Sequence, residues 1–335
     1  MKKEINYSIC LLKVSAMLLI INSHSDALFP SKFSFLATGG AIGNELFFLI
    51  SGYLFFAKKD IFGQIINRIK RLYIPTYLIT IVLMTFSMIP LERLRFVHLF
   101  IWPTEFWFVS SLLVFTIIMS CVGRTDIFKD RIKYYTFSLA VIIIDVLVYV
   151  FFVTEKTAWI VEDFRLPGEI PFKIIYSFLA FSLGYYMKQS DFFNTQHEMK
   201  TKVVNLALSV LLFLGLKVLL NKGIIPMQLQ IISQPVTIYV VYWTFVFIME
   251  SASLRDWLKK HSGLSEMIFR GSSLTLEAYL LQFVIIDVVS KIRAFFPLNY
   301  LISTMMIVIL AVVFHNVLEV LYSAMDRLSF SKRKI

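Results

Sequence analysis

Apolar residues in this chain come in runs of roughly eighteen to twenty, separated by shorter polar stretches. A bilayer core about 30 Å thick takes roughly 20 residues of helix to cross. Runs of that size lie near 7–23, 40–57, 73–90, 105–122, 134–153, 171–187, 203–220, 231–249, 273–290 and 301–322, and they predict about ten transmembrane helices. The longest connections, near 58–72 and 250–272, carry charges at intervals with apolar residues between them, the pattern of helices lying in a membrane interface. No repeat of fixed period and no low-complexity segment interrupts the series, so the expectation is an all-α polytopic membrane helix bundle forming one domain over 1–335.

Composition narrows the class further. With 58% hydrophobic and 16% charged residues over 335 positions, the chain is excluded from the soluble globular domains, whose apolar share is about 45–50%. The net charge of +11 does not call for a nucleic-acid partner, because the basic residues sit in short clusters between apolar runs. Twenty-two of the 33 Lys and Arg residues fall in one set of alternate connections, eight in the other, and three, Lys13, Lys173 and Lys217, within spans. That bias places the richer set, and both termini, in the cytoplasm. Lys2 and Lys3 before the first apolar run resemble the start of a signal peptide, but no small-x-small cleavage pattern follows, and a retained first helix is expected. Cys10 and Cys121 both fall near cytoplasmic ends of spans, so no structural disulfide is expected. Five His residues dispersed over both sides and two separated Cys residues offer no metal-ligand spacing.

Candidate chemistry begins in the first span. Lys13 and His24 are eleven residues, or three helical turns, apart in an apolar stretch, on one face and about 16 Å from each other along the axis. A charge in such a place is expensive and by default marks a functional site. The other reading has Lys13 snorkelling to the cytoplasmic surface and His24 opening an outer loop. The second span, GNELFFLISGY, brings Glu45 to about the depth of His24, where a carboxylate can hold an imidazole in one tautomer; a solvated acid at a helix start is the alternative. Ser51 and Gly52 in the same span suit close helix packing. In NRIKRLYIP, Arg68 and Arg71 share one helix face, and their planar forks suit phosphate; topology or anionic lipid would equally account for them.

Together these segments resemble the acyltransferase-3 family of integral membrane O-acyltransferases. The family pattern of Arg, ten residues and His is filled by Lys13 and His24, with Lys in place of Arg. Gly43, Glu45, Phe47, Phe48, Ser51, Gly52 and Tyr53 match its second helix, and Arg68, Arg71 and Pro75 match its Arg-x-x-Arg segment before a proline. EFWFVSSLLVF, with Glu105 and Trp107, is similar to its fourth span, and SSLTLEAYLLQF, from Ser272 to Phe283, to its penultimate one. Members often have His where this chain has Gln282. The substitution of Lys13 for Arg removes a bidentate fork, so whatever the Arg holds would be held differently here.

The resemblance implies a multi-pass protein of the bacterial inner (cytoplasmic) membrane, an O-acetyltransferase that moves an acyl group, most often acetyl, from cytoplasmic acyl-CoA to a hydroxyl of a cell-surface or lipid-linked carbohydrate. In that scheme Arg68 and Arg71 hold CoA phosphates, Lys13 lines the path of the donor, His24 deprotonates the acceptor, Glu45 orients His24, and Glu105 and Trp107 lie on the glycan side. The competing reading is a transporter or flippase for a lipid-linked glycan or small anion, using the same charges as a pathway. Among the remaining polar residues, Asp145, Asp287, His315, Asn316 and Glu319 are expected to line the cavity or to pair with Lys217 or one another. His197 and His261 are expected on the cytoplasmic surface.

Overall fold

The computed structural model describes residues 5–85, 106–153, 164–167, 170–190, 192, 196–292 and 295–331, the last of these with backbone alone at 326 and 328–331. They form twelve α-helices: α1 (Tyr7–His24), α2 (Gly40–Leu54), α3 (Ile61–Thr85), α4 (Trp107–Val122), α5 (Arg131–Phe152), α6 (Ile174–Gln189), α7 (Met199–Asn221), α8 (Ser233–Glu250), α9 (Ala252–Lys260), α10 (Ser262–Ser273), α11 (Thr275–Ser290) and α12 (Leu298–Ser331). A two-stranded antiparallel ribbon, β1 (Arg165–Leu166) with β2 (Ile170–Pro171), precedes α6. Each of the ten predicted spans coincides with a helix, and the chain is an all-α polytopic bundle. Six helical stretches among the described residues are by themselves long and apolar enough to cross a membrane: Tyr7–His24, Ser31–Leu54, Arg131–Phe152, Met199–Asn221, Met227–Glu250 and Leu298–Met325. The exposed faces of α5, α7 and α12 are rows of Leu, Ile and Val, as expected of helices that meet lipid. The sixteen-residue helices α4 and α6 are instead enclosed by the others.

Helix α2 is the centre of the bundle, packed against α1, α6 and α8. Glycine makes this possible. A Cβ on Gly52 would run into the Phe181 carbonyl of α6, and one on Gly184 of α6 into the Leu49 carbonyl of α2, so the two backbones touch where they cross. Toward its N-terminus α2 leans on α1 in the same way, with a Cβ on Gly43 falling 2.6 Å from the Ala16 oxygen. Small residues at crossings let backbones approach, which is the main source of helix association where lipid is as apolar as leucine. Around that crossing the rings of Phe48, Phe108 and Phe115 interlock at 4.6–5.1 Å between centroids, in tilted and edge-on arrangements worth about 0.5–1.5 kcal/mol each beyond their area.

One element departs from expectation. The predicted interfacial segment near 58–72 and the span from 73 are one continuous helix, α3, that runs through Pro75. Proline cannot donate to the carbonyl four residues back, here that of Arg71, yet the helix continues past it, and the Thr76 hydroxyl adds a bond of its own to Leu72 O at 2.7 Å. The end of this span, 86–90, lies outside the described residues. The segment near 250–272 does form two short helices, and the second, α10, bends by 71° into α11 at Leu274.

His197 is not a bare surface residue. Its backbone N–H and its Nδ1 both meet the buried Glu250 carboxylate at 2.9 Å, and Lys202 Nζ lies 3.5 Å from the same group. This cluster ties the start of α7 to the end of α8. His261 is exposed. Cys10 and Cys121 are free, one buried and one exposed. Gly52→Ala is expected to destabilise the protein by about 1–3 kcal/mol through overpacking against Phe181. Gly215→Ala, where nothing lies within 4 Å, should stay within about 1 kcal/mol of the parent. Thermal unfolding in detergent compares the two, and equal behaviour would contradict the close crossing.

Candidate active site

The C-terminal turn of α1 builds one wall of the site. Asn22 Nδ2 donates to Leu36 O at 2.7 Å and to Thr38 O at 2.9 Å, folding the loop between α1 and α2 back over the end of α1. That loop consists of two 3₁₀ turns, Asp26–Leu28 and Ser31–Leu36. It closes at Gly39, whose φ of 108° lies in the left-handed region and whose missing Cβ would stand 2.9 Å from Leu19. The chain then enters α2 directly beside His24, and Asn44 and Glu45 face the same space.

That space is a cavity of about 350 Å³ lined by His24, Asn44, Glu45, Trp107, Arg165, Lys173, Lys217 and Phe283 among others. The basic-residue bias of the sequence puts this cavity on the outer side, and it is called the outer cavity below. His24 is exposed and its ring meets Phe283 of α11 edge-on at 4.6 Å. Trp107, the first residue of α4, carries the Lys173 ammonium over its face at 4.3 Å, a cation–π contact. Glu105 lies outside the described residues.

Glu45 does not orient His24 through a hydrogen bond. Its Oε1 accepts from Ser177 Oγ of α6 at 2.5 Å, while Oε2 is buried without a partner among the described residues. The reason is the crossing: α2 lies so close to α6 that Ser177, 132 residues away in sequence, reaches Glu45. Of the other span-borne polar residues, His315 and Glu319 pair with one another, as expected, while Asp287 and His315 also take partners outside the expected set. Asp287 pairs with Lys291 at 2.7 Å, and His315 with Glu277 at 2.7 Å and Glu319 at 3.6 Å. Lys217 donates to Thr38 Oγ1 at 3.4 Å in the wall of the outer cavity.

A second cavity, of about 450 Å³, gathers Lys13, Lys58, Gln64, Asn67, Arg68 and Arg71. Gln64 shapes its rim, donating to Phe56 O at 2.8 Å and accepting from Lys58 N at 3.1 Å. Arg68 lies within electrostatic reach of both Lys13 and Arg71, and its Nε is buried without a hydrogen-bond partner among the described residues. Converging cations and an unsatisfied guanidinium N–H suit an anion with several oxygens. The six described residues singled out in the sequence therefore fall into two sets, His24, Glu45 and Trp107 at one cavity and Lys13, Arg68 and Arg71 at the other. Sequence reasoning did not connect Ser177 with Glu45, nor bring Arg165, Lys173 and Lys217 to one place. The only signal for the last two was the cost of a lysine inside a span.

The bundle thus carries a basic cavity on one side of α1 and α3 and a second cavity with an imidazole and a carboxylate beside the other end of α1. A family model for the acyltransferase domain of the acyltransferase-3 family matches residues 6–316, and the chain belongs to that family. It is a multi-pass membrane acyltransferase. Neither the curated proteins nor the solved structures gave a match.

A double-mutant cycle on Ser177→Ala and Glu45→Gln is expected to show coupling of about 0.5–3 kcal/mol in detergent unfolding, because the two side chains share one buried hydrogen bond. Strict additivity would mean that the bond does not stabilise the fold.

Proposed function

We propose that this acyltransferase moves an acyl group, acetyl in the simplest case, from cytoplasmic acyl-CoA to a hydroxyl of a carbohydrate presented at the outer face of the cell's inner membrane. The observation that carries the reading is the division of the site residues along α1: Lys13 in a cavity suited to phosphate, and His24 three turns further on, about 16 Å away. In this reading Arg68, Arg71 and Lys13 hold the phosphates of the donor, whose long pantetheine arm carries the thioester into the bundle.

At the outer cavity His24 removes the proton of the acceptor hydroxyl. The oxygen attacks the thioester carbonyl, the C–S bond breaks as the ester C–O bond forms, and the thiolate leaves with the proton returned from His24. Lys173, within electrostatic reach of both His24 and Glu45, is placed to stabilise negative charge on the tetrahedral oxygen. Glu45, anchored by Ser177, serves as an acceptor for substrate hydroxyls rather than as the orienting partner of His24. The donor is a substrate here, and Lys13 contributes charge without the bidentate geometry an arginine would add.

Two measurements in proteoliposomes test the scheme. His24→Ala should lower acyl transfer by about 10²- to 10⁴-fold with normal membrane insertion, and near-normal turnover would remove His24 from the chemistry. Arg68→Ala should weaken acyl-CoA binding roughly ten- to a hundredfold, as expected for a charge-assisted contact of about 1.5–3 kcal/mol. Movement of a glycan or anion across the bilayer with no acyl transfer would favour transport instead.

A further inference from the structure

A separate cavity, of about 260 Å³, lies at the start of α1 and shares no lining residue with the other two. It is lined by Ile5, Asn6, Tyr7 and Ser8 and by Arg255 and Lys259 of α9. Asn6 caps α1, its side chain accepting from Ile9 N at 3.2 Å. A helix leaves its first N–H groups without intrahelical acceptors. With Ile9 taken by the cap, those of Tyr7 and Ser8 stand at the open end, where the macrodipole is positive. On α9, Arg255 and Lys259 are four residues apart and share one helix face. A small apolar core brings that helix to the start of α1: Cys10, Leu258 and Ile268 are buried together, with Tyr7 and Leu254 packed against them.

Ser8 is the residue in this cavity that calls for a ligand. It is 2% exposed, and its Oγ has no hydrogen-bond partner among the described residues. Buried hydroxyls elsewhere in the bundle, such as those of Thr76 and Thr116, turn back to a carbonyl one turn earlier in their own helix. Ser8 is the second residue of α1 and has no such helical turn before it. A buried hydroxyl left unbonded is costly, and an anion's oxygen would accept from it and from the first N–H groups of α1, as anions do at helix N-termini. Arg255 and Lys259 add opposite charge at the same place. One guanidinium nitrogen of Arg255 donates to Met249 O, which holds the side chain in position while its planar fork has further N–H groups to offer.

We infer that this cavity binds a phosphate group, held by Ser8 Oγ, the first N–H groups of α1 and the side chains of Arg255 and Lys259. The basic-residue bias of the sequence puts this end of α1 on the cytoplasmic side. The phosphate can come from the headgroup of a phospholipid or from a soluble phosphate ester. Trp257, Met267 and Phe269 are exposed on α9 and α10, as on helices that lie at a membrane surface, which favours the lipid. None of these residues takes part in the proposed acyl transfer, so the two readings stand or fall separately.

The test is binding of three probes to the full chain purified in uncharged detergent: phosphatidylglycerol, diacylglycerol with the same acyl chains, and glycerol phosphate. Phosphatidylglycerol or glycerol phosphate should bind saturably, tenfold or more tightly than diacylglycerol, and more weakly as salt is raised. Tighter binding of phosphatidylglycerol than of glycerol phosphate assigns the site to lipid, and parity or the reverse assigns it to a soluble ester. Ser8→Ala should weaken binding severalfold, and Arg255→Gln with Lys259→Gln tenfold or more. Lys259→Gln alone, at an exposed position, should weaken it severalfold and serves if the double variant does not fold. Ser8→Asp should abolish binding with thermal stability kept or raised, because a carboxylate at a helix N-terminus is itself favourable. Binding that survives Ser8→Asp and the double variant, or that fails to distinguish phosphatidylglycerol and glycerol phosphate from diacylglycerol, would overturn the inference. So would the absence of binding to the native chain. Binding gained in Glu4→Gln would then give the cavity to Glu4, which lies outside the described residues.

Discussion

The architecture depends on backbone contact between α2 and its neighbours. In water, burial of apolar side chains would hold such helices together almost regardless of fit. In lipid that drive is absent, and association relies on close packing and on polar bonds between helices. Gly43, Gly52 and Gly184 supply the closeness, and the Ser177 to Glu45 bond supplies the polar link at the same interface. The site is a by-product of this crossing: the loop that Asn22 and Gly39 tighten brings α2 in beside the end of α1, and so sets Glu45 and His24 around one cavity.

The ionisable groups fall into two kinds. Some are matched inside the bundle, such as Glu250 with His197 and Lys202, or Glu277 with His315. These links join neighbouring helices and need no ligand to account for them. Others line the two cavities, Lys13, Arg68 and Arg71 at one and Arg165, Lys173 and Lys217 at the other, where Lys217 donates to Thr38 and Lys173 lies over the Trp107 ring. The two cavities differ in what they offer: the inner one has donors throughout, with amides of Gln64 and Asn67 among the cations, while the outer one combines donors with the buried acceptors of Asn44 and Glu45. A phosphate-rich donor and a hydroxylated acceptor have that same contrast.

Much of this was legible in the chain itself. Hydropathy alone located a helix for every predicted span, because a membrane demands a length of apolar helix that few other structures share. The pairing of Lys13 with His24 and of Arg68 with Arg71 was equally readable, since each pair sits on one helix whose geometry is known in advance. Even the close packing at Gly52 could be anticipated from residue size. The continuity of α3 through Pro75 could not, because whether a proline ends a helix or is carried inside it is decided by the packing around it, and Pro75 is buried among the other helices.

What the sequence determined by itself was thus everything set along one helix: the helical spans and the residues that share a face. What only the tertiary structure decided was everything set between helices. It gave Glu45 to Ser177 rather than to His24, and it drew Arg165, Lys173 and Lys217 from three elements to one cavity. The physical reason is that rise and turn per residue are fixed by the backbone, whereas the choice of neighbour is made by side-chain volume at crossings many residues apart. There a single absent Cβ can change which polar groups meet.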